Sequence, residues 1–316
     1  MELRRLGRSG LEVSAVGLGC NNFGGRIGAK ETDAVVGRAL EEGITLLDTA
    51  DIYGERGGSE TLLGKALGKR RQDVVIATKF GGKMGDGPYE HGGSRRWIYR
   101  AIEGSLKRLG TNWIDLYQIH FPDPATPLGE TLHALDYLVQ QGKVRYLGCS
   151  NFAGWQICES IWIARTHGYA SFISAQNQYN LLDRRIEREV LPACDHFTVG
   201  MLPYFPLASG FLTGKYRRGE TPPEDTRMAK MGQMAERTLT APNFDVLEAL
   251  EAFAGEHGHS VLELAVSWLL AQPQVSSVIA GATKPEQVSA NVKAAQWRLT
   301  SEESEQVSRL TRRRNA

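Results

Sequence analysis

Four side chains in the first 120 residues have the types needed to deliver a proton to a carbonyl oxygen: Asp48, Tyr53, Lys79 and His120. A lysine cation beside a tyrosine favours the tyrosinate, so Lys79 is expected to lower the pKa of Tyr53 from its ordinary value of about 10. Asp48, as partner to Lys79, keeps that cation charged and oriented. Tyr53 then becomes a general acid suited to protonating an alkoxide near neutral pH. His120 can hydrogen-bond the same oxygen and polarise it. No nucleophile here is paired with a base, which speaks against hydrolysis. The missing reactant is a hydride, which a cofactor has to bring. Taken singly these residues say little: an Asp–Lys pair at strand ends is more often a structural ion pair, and a lone histidine is more often a satisfied core residue. Four matching types on three consecutive expected strands argue against coincidence.

Those strands are short apolar runs. Ile44 to Leu47 leads into Asp48, Val74 to Thr78 into Lys79, and Leu116 to Ile119 into His120. Each delivers a titratable side chain where the strand gives way to its loop, and in a parallel barrel that end is where catalytic groups collect. Ala15 to Leu18, Val144 to Leu147, Phe172 to Ala175, Gly200 to Pro203 and Ser277 to Ala280 complete a set of eight. Amphipathic segments lie between them: Thr32 to Glu42, Ser94 to Leu109, a helix with Thr126 as N-cap and Pro127 at its first position, and Ala153 to His167. Gly43, Gly110, Gly142 and Gly168 supply the left-handed residue that stops a helix. The count predicts an α/β chain of the (β/α)8 TIM-barrel class in one domain over residues 1–316. Glu2 to Leu6 and Leu11 to Ser14 flank Gly7-Arg-Ser-Gly10, a hairpin expected to plug the barrel bottom. The longest irregular stretch, Arg217 to Asn243 with Met228, Met231 and Met234, reads either as a lid or as a tolerated insertion.

Composition narrows the function. The chain has 316 residues, 41% of them hydrophobic and 23% charged, as expected for a globular protein with a sizeable core. A net charge of +1 argues against a nucleic-acid partner, and the basic run Arg312 to Arg314 reads as a solvated tail. Cys20, Cys149, Cys158 and Cys194 show no metal-ligand spacing, so reduced thiols and no metal are expected. The absence of a signal peptide and of a membrane-length apolar run makes a cytoplasmic location the expectation. Two glycine-rich decoys fail. Gly17-Leu-Gly19 has Asn22 where a dinucleotide fingerprint needs its third glycine. Gly210 to Lys215 is one residue too short for a phosphate-binding loop of the Walker type, and Tyr216 follows where Ser or Thr is required.

Several stretches, in order, carry a resemblance over nearly the whole chain: Asp48 to Gly54 (DTADIYG), Ala77 to Phe80 (ATKF), Ile114 to His120 (IDLYQIH), Gly142 to Phe152 (GKVRYLGCSNF), Gln176 to Tyr179 (QNQY), Pro206 to Lys215 (PLASGFLTGK) and Ile279 to Gln287 (IAGATKPEQ). The chain resembles an aldo-keto reductase, nearest in flavour to the bacterial and potassium-channel-β-like branches. The resemblance implies a proton-relay tetrad at Asp48, Tyr53, Lys79 and His120, and NADP(H) as cofactor. It implies that Ser150, Asn151 and Gln176 bind the nicotinamide carboxamide and that Tyr204 stacks under the ring. Phe205, Pro206, Leu207, Ser209, Gly210, Leu212 and Lys215 match the diphosphate belt. Gly281, Thr283 and Lys284 match the 2′-phosphate site, and Gln287 and Asn291 the adenine. Lys284 stands where many relatives carry arginine, and lysine binds phosphate as a point charge. Phe121 replaces a common Arg or Trp after the catalytic histidine, which implies an apolar substrate rim that includes Phe23 and Tyr89.

The reading that follows is NADPH-dependent reduction of an aldehyde or ketone. A cofactor-sensing binding subunit with little turnover is the alternative, and an isomerase or lyase without nicotinamide is a third reading that Ser150, Asn151, Gln176 and Lys215 oppose. A small carbonyl compound is the expected partner. Oligomeric state stays open: Trp155 and Trp162, spaced i,i+7, mark either helix-on-barrel packing or an interface.

Overall fold

The computed structural model describes residues 1–311 apart from positions 225 and 231. Met231, the Met234 side chain and the basic run Arg312 to Arg314 lie outside the described residues. In chain order the elements are β1 (Leu3–Arg5), β2 (Glu12–Ser14), β3 (Val16–Gly19), α1 (Ala29–Glu41), β4 (Leu46–Asp48), α2 (Tyr53–Leu67), β5 (Val75–Phe80) and α3 (Arg95–Leu109). There follow β6 (Ile114–Ile119), α4 (Leu128–Gln140), β7 (Val144–Ser150), α5 (Gly154–His167), β8 (Phe172–Gln176), α6 (Val190–Phe197) and β9 (Gly200–Met201). The last third holds α7 (Arg227–Lys230), α8 (Gly232–Thr238), α9 (Ala241–Glu256), α10 (Val261–Leu270), β10 (Val278–Gly281), α11 (Pro285–Ala294) and α12 (Ser301–Thr311).

Eight strands form one parallel sheet in the order β10-β3-β4-β5-β6-β7-β8-β9. Its edges approach each other: Met201 N–H donates to Gln274 O at 2.7 Å, Ser276 N–H to Met201 O at 3.0 Å and Ile279 N–H to Pro203 O at 3.1 Å. This curled α/β sheet with its helices is consistent with a (β/α)8 barrel. The side-chain period of two does the positioning. Leu46, Ala77 and Leu116 belong to one small apolar cluster with Leu202 and Ile279. Two residues further along the same strand faces come Asp48, Lys79 and Gln118, with His120 two beyond Gln118. Burying a side chain such as Leu46 or Leu116 contributes about 1.5–3 kcal/mol, so the apolar lower layer supports a polar upper layer that costs desolvation.

β1 and β2 pair antiparallel, Leu3 opposite Ser14. Leu6, in their connection, and Val13 are fully buried and join the cluster of Leu46, Ala77 and Leu116. Gly7 (φ 56°) is required there, because a Cβ would stand 2.3 Å from Ile173 O. α3 follows its sequence signals closely. Ser94 caps its N-terminus by accepting from Trp97 N–H, Trp97, Ile98, Ala101, Ile102 and Leu106 are buried, and left-handed Gly110 ends it.

Four expectations need correction. Strand β5 runs through Lys79 to Phe80 instead of stopping before the lysine. Pro127, not Thr126, is the N-cap of α4; the Thr126 hydroxyl donates instead to Asp123 Oδ2 at 2.8 Å. The stretch Arg217 to Asn243 contains α7, α8 and the start of α9, with Met228 buried. Trp155 and Trp162 are 61% and 72% exposed, so barrel packing does not account for them.

Candidate active site

Lys79 is fully buried, and its ammonium donates to Asp48 Oδ2 at 2.7 Å and to Thr49 O at 2.8 Å. Asp48 accepts on its other oxygen from Gln176 Nε2 at 2.8 Å and from Gln118 Nε2 at 3.4 Å. The same ammonium lies 5.0 Å from the centre of the Tyr53 ring. His120 meets that ring edge-on at 5.6 Å between centroids and stacks on Phe121 at 4.4 Å. Tyr53 opens α2, whose next four residues, Gly54 to Gly57, all have positive φ. Only glycine fits at position 54, since a Cβ would stand 2.3 Å from Phe23 O. The turn thus presses the loop after β4 onto the loop after β3 and fixes where the tyrosine starts.

Electrostatics correct one expectation. The pKa of Tyr53 is raised from the ordinary 10, not lowered: burial is the largest influence, Lys79 opposes it, and Asp48 adds to the rise. Desolvating a phenolate costs more here than one shared cation returns. Tyr53 is therefore protonated, ready to donate. Burial also works against the charge on Lys79, but Asp48 and then Tyr53 outweigh it, so its pKa stands above the ordinary lysine value. His120 is pushed down to about 3 by burial and then by Lys79. It is neutral at physiological pH and can donate only one ring N–H.

A cavity of about 640 Å³ opens above these groups. Its wall brings together Asp48, Tyr53, His120, Phe121, Ser150, Asn151, Gln176, Tyr204, Phe205, Pro206, Leu207, Ser209, Gly210, Lys215, Gly281, Thr283, Gln287 and Asn291. Many are already held in place. Tyr204 Oη donates to Asn151 Oδ1 at 2.7 Å, Asn151 Nδ2 donates to His120 O at 3.0 Å, and Ser150 Oγ donates to Gln176 O at 2.9 Å. Three wall residues other than glycine, Asn151, Phe205 and Ser209, sit at positive φ (61°, 52° and 59°). Such strain is tolerated where the surrounding structure over-determines it, commonly at ligand sites.

Some expected residues are elsewhere. Lys79 lies beneath the wall. Phe23 and Leu212 are fully buried in the main core; Phe23 lies in a turn and Leu212 in a short 3-10 helix (Ala208–Thr213) broken by non-helical residues, so no regular period told which way they face. Tyr89 is 56% exposed and outside the wall, its ring under Arg96. Lys284 is exposed at the N-cap of α11, also outside the wall. Conversely Asn22, Arg26 and Arg227 line the cavity and Gln118 touches Asp48. Gln118 was readable from the period of two before His120. Arg227 was not: it comes to Asn22 (Nη2 to Oδ1, 3.4 Å) from 205 residues away.

Residues 15–312 match the Aldo/keto reductase family. This chain belongs to that family. Among its aldo/keto reductase relatives is a probable voltage-gated potassium channel subunit beta of Oryza sativa subsp. japonica, 38% identical over 93% of this chain and 91% of the relative. The L-glyceraldehyde 3-phosphate reductase of Escherichia coli (strain K12) is 35% identical over 93% of this chain and 87% of its own length. The versiconal hemiacetal acetate reductase of Aspergillus parasiticus is 35% identical over 96% and 95%. Aldo/keto reductase membership together with reductase-named relatives supports an oxidoreductase.

Proposed function

We propose that this aldo/keto reductase reduces an aldehyde or ketone to an alcohol, taking the hydride from NADPH and the proton from Tyr53. One observation carries the reading: a single cavity joins a neutral phenol beside a buried Lys–Asp pair to a wall bearing cations that have no carboxylate partner among the described residues. Lys215 and Arg227 make no ion pair among the described residues, and Lys215 packs against the left-handed Ser209–Gly210 turn. Cations without carboxylate partners among the described residues, set beside a left-handed turn, fit a dinucleotide's diphosphate and 2′-phosphate. Ser150, Asn151 and Gln176 offer the amide and hydroxyl groups that fit a carboxamide, and Tyr204 a flat face for the ring.

When bound, the cofactor supplies the hydride. Tyr53 gives its hydroxyl proton to the carbonyl oxygen as charge gathers there. The tyrosinate left behind is stabilised by Lys79, which Asp48 holds in place. Neutral His120 donates a hydrogen bond from its N–H to the same oxygen, leaving Tyr53 as the acid. The hairpin β1–β2, with Leu6 and Val13 in the lower cluster, closes the opposite end of the barrel in this reading. No helix among the described residues is long and apolar enough to cross a membrane, and a cytoplasmic enzyme of small carbonyl compounds is the setting proposed. A binding subunit that senses the cofactor is the second reading, favoured by the likeness to a probable channel subunit beta and by the exposed Trp155 and Trp162.

NADPH oxidation with 4-nitrobenzaldehyde separates the two. The wild type is expected to turn over, and Tyr53→Phe to lose about 10²–10⁴-fold in kcat while still binding NADPH. NADPH binding with no turnover across an aldehyde and ketone panel would instead establish the second reading. Equal rates in the two proteins would remove Tyr53 as the acid.

A further inference from the structure

We propose that helix α5 carries a self-complementary patch, centred on Trp162, through which two copies of this chain associate about a two-fold axis. The inference concerns the outer surface and stands apart from the carbonyl chemistry. Its first ground is apolar surface that the fold leaves in water. Ile157, Ile161 and Ala164 bury the inner face of α5. Trp155 and Trp162, one stripe at i,i+7, face away from it and are mostly exposed. A large aromatic side chain has about 150–250 Å² to bury, and exposed apolar surface of this kind among polar residues marks a contact site.

The second ground is shape. Beside Trp162 a groove of about 300 Å³ runs between α5 and α6, with Cys158, Ile161 and Phe197 as its apolar lining. A projecting indole and an apolar slot on one patch are the knob and hole of an isologous contact, in which a surface meets itself. The third ground is charge, and it selects the occupant. Glu159 and Arg165 line the same groove, one three residues before Trp162 and the other three after it. Neither has an ion-pair partner among the described residues, and the Arg165 guanidinium only rests over the Phe197 ring at 5.3 Å. Six residues apart, they sit too far round the helix to pair with each other. A two-fold axis at Trp162 exchanges the turn before it with the turn after it. With the two helices crossing steeply, Glu159 of each copy then meets Arg165 of the other. A uniformly acidic or basic partner would meet one like charge here, whereas a second copy answers both.

Sedimentation equilibrium of the full chain at micromolar concentration is expected to give a dimer, twice the 34.8 kDa of one copy. Trp162→Ser raises its dissociation constant about 30-fold or more, because a central tryptophan is among the side chains an interface loses most by giving up. The charges give the sharper test. Glu159→Arg alone sets arginine against arginine, and Arg165→Glu alone sets glutamate against glutamate, so each weakens association about tenfold or more. Mixing those two variants restores the wild-type affinity, and so does the double variant Glu159→Arg with Arg165→Glu. All three positions lie on the surface outside the cavity wall, so the urea midpoint and turnover of every variant stay at wild-type values. A monomeric wild type overturns the proposal and leaves the face to a foreign partner. A dimer untouched by Trp162→Ser overturns it as well, by placing the contact elsewhere. Single swaps that weaken the dimer, with no recovery on mixing or in the double variant, overturn the two-fold arrangement.

Discussion

The two ends of the cavity are built on opposite principles. At the tyrosine end the central ion pair is satisfied within the chain: Lys79 donates to Asp48 and Thr49 O, and Asp48 also accepts from Gln176 and Gln118. That arrangement is complete once the chain has folded. At the cationic end Lys215, Arg227 and Arg26 stand without carboxylates among the described residues. In the reading proposed above, the cofactor completes that arrangement. The first region should therefore announce itself in stability when broken, and the second in affinity.

The largest effect is expected from Lys79→Met. It leaves Asp48, 3% exposed, as a buried charge with no cation. Loss of one partner from a buried pair costs about 3–5 kcal/mol, read as a shift of the urea midpoint without change of slope. Adding Asp48→Asn should restore a large part of the loss, because the orphaned charge goes with it, while turnover stays abolished. A Lys79→Met protein as stable as wild type would break the comparison, for it would mean that the pair is not what holds this end together.

His120 sharpens the comparison through pH. Its folded pKa of about 3 lies below the ordinary 6.5. The unfolded chain therefore binds a proton that the folded chain refuses between those values. The contribution is fully present above about pH 6.5 and is lost as pH falls toward 3. Each pH unit inside the window removes at most about 1.4 kcal/mol. Comparing wild type with His120→Asn by urea unfolding at about pH 7.5 and pH 5, the wild type should lose about 2 kcal/mol more on acidification. Parallel losses in both proteins would show that the imidazole is not shielded as its burial and the nearby Lys79 require.

Where a residue lies on a strand, its place in the site was legible. Asp48 and Lys79 each follow an apolar residue two positions earlier on the same face, His120 follows Leu116 four positions earlier, and the period of two leaves no second choice of direction. Helix stops were legible for the same kind of reason: left-handed Gly110 and Gly168 end α3 and α5 as their position after an amphipathic run requires. In irregular segments no period exists, and there the reading slipped. Phe23 and Leu212 turn into the core and Lys284 turns outward. α7 is four residues long, too short to show an amphipathic repeat, so Arg227 had no signature. The direction of the Tyr53 shift was hidden for another reason: it is set by how completely the phenol is desolvated, which depends on packing that no local pattern encodes.

The smallest effect belongs to Arg227→Gln, and it runs opposite in kind to that of Lys79. The side chain reaches Asn22 Oδ1 at 3.4 Å and lies 5.5 Å from the centre of the Phe205 ring, so glutamine gives up a weak hydrogen bond and a cation–π contact. Against that, it removes a half-buried charge that repels Arg26. The two changes oppose each other, and the urea midpoint is expected to move little. NADPH affinity is expected to fall about tenfold, about 1.4 kcal/mol, and its salt dependence to flatten, since one fewer cation faces the cofactor's phosphates. Titrating NADPH into both proteins at two salt concentrations reads both numbers. A variant that binds NADPH as wild type does but unfolds several kcal/mol sooner would make Arg227 a structural residue, and the contrast between a finished end and an unfinished one would not hold.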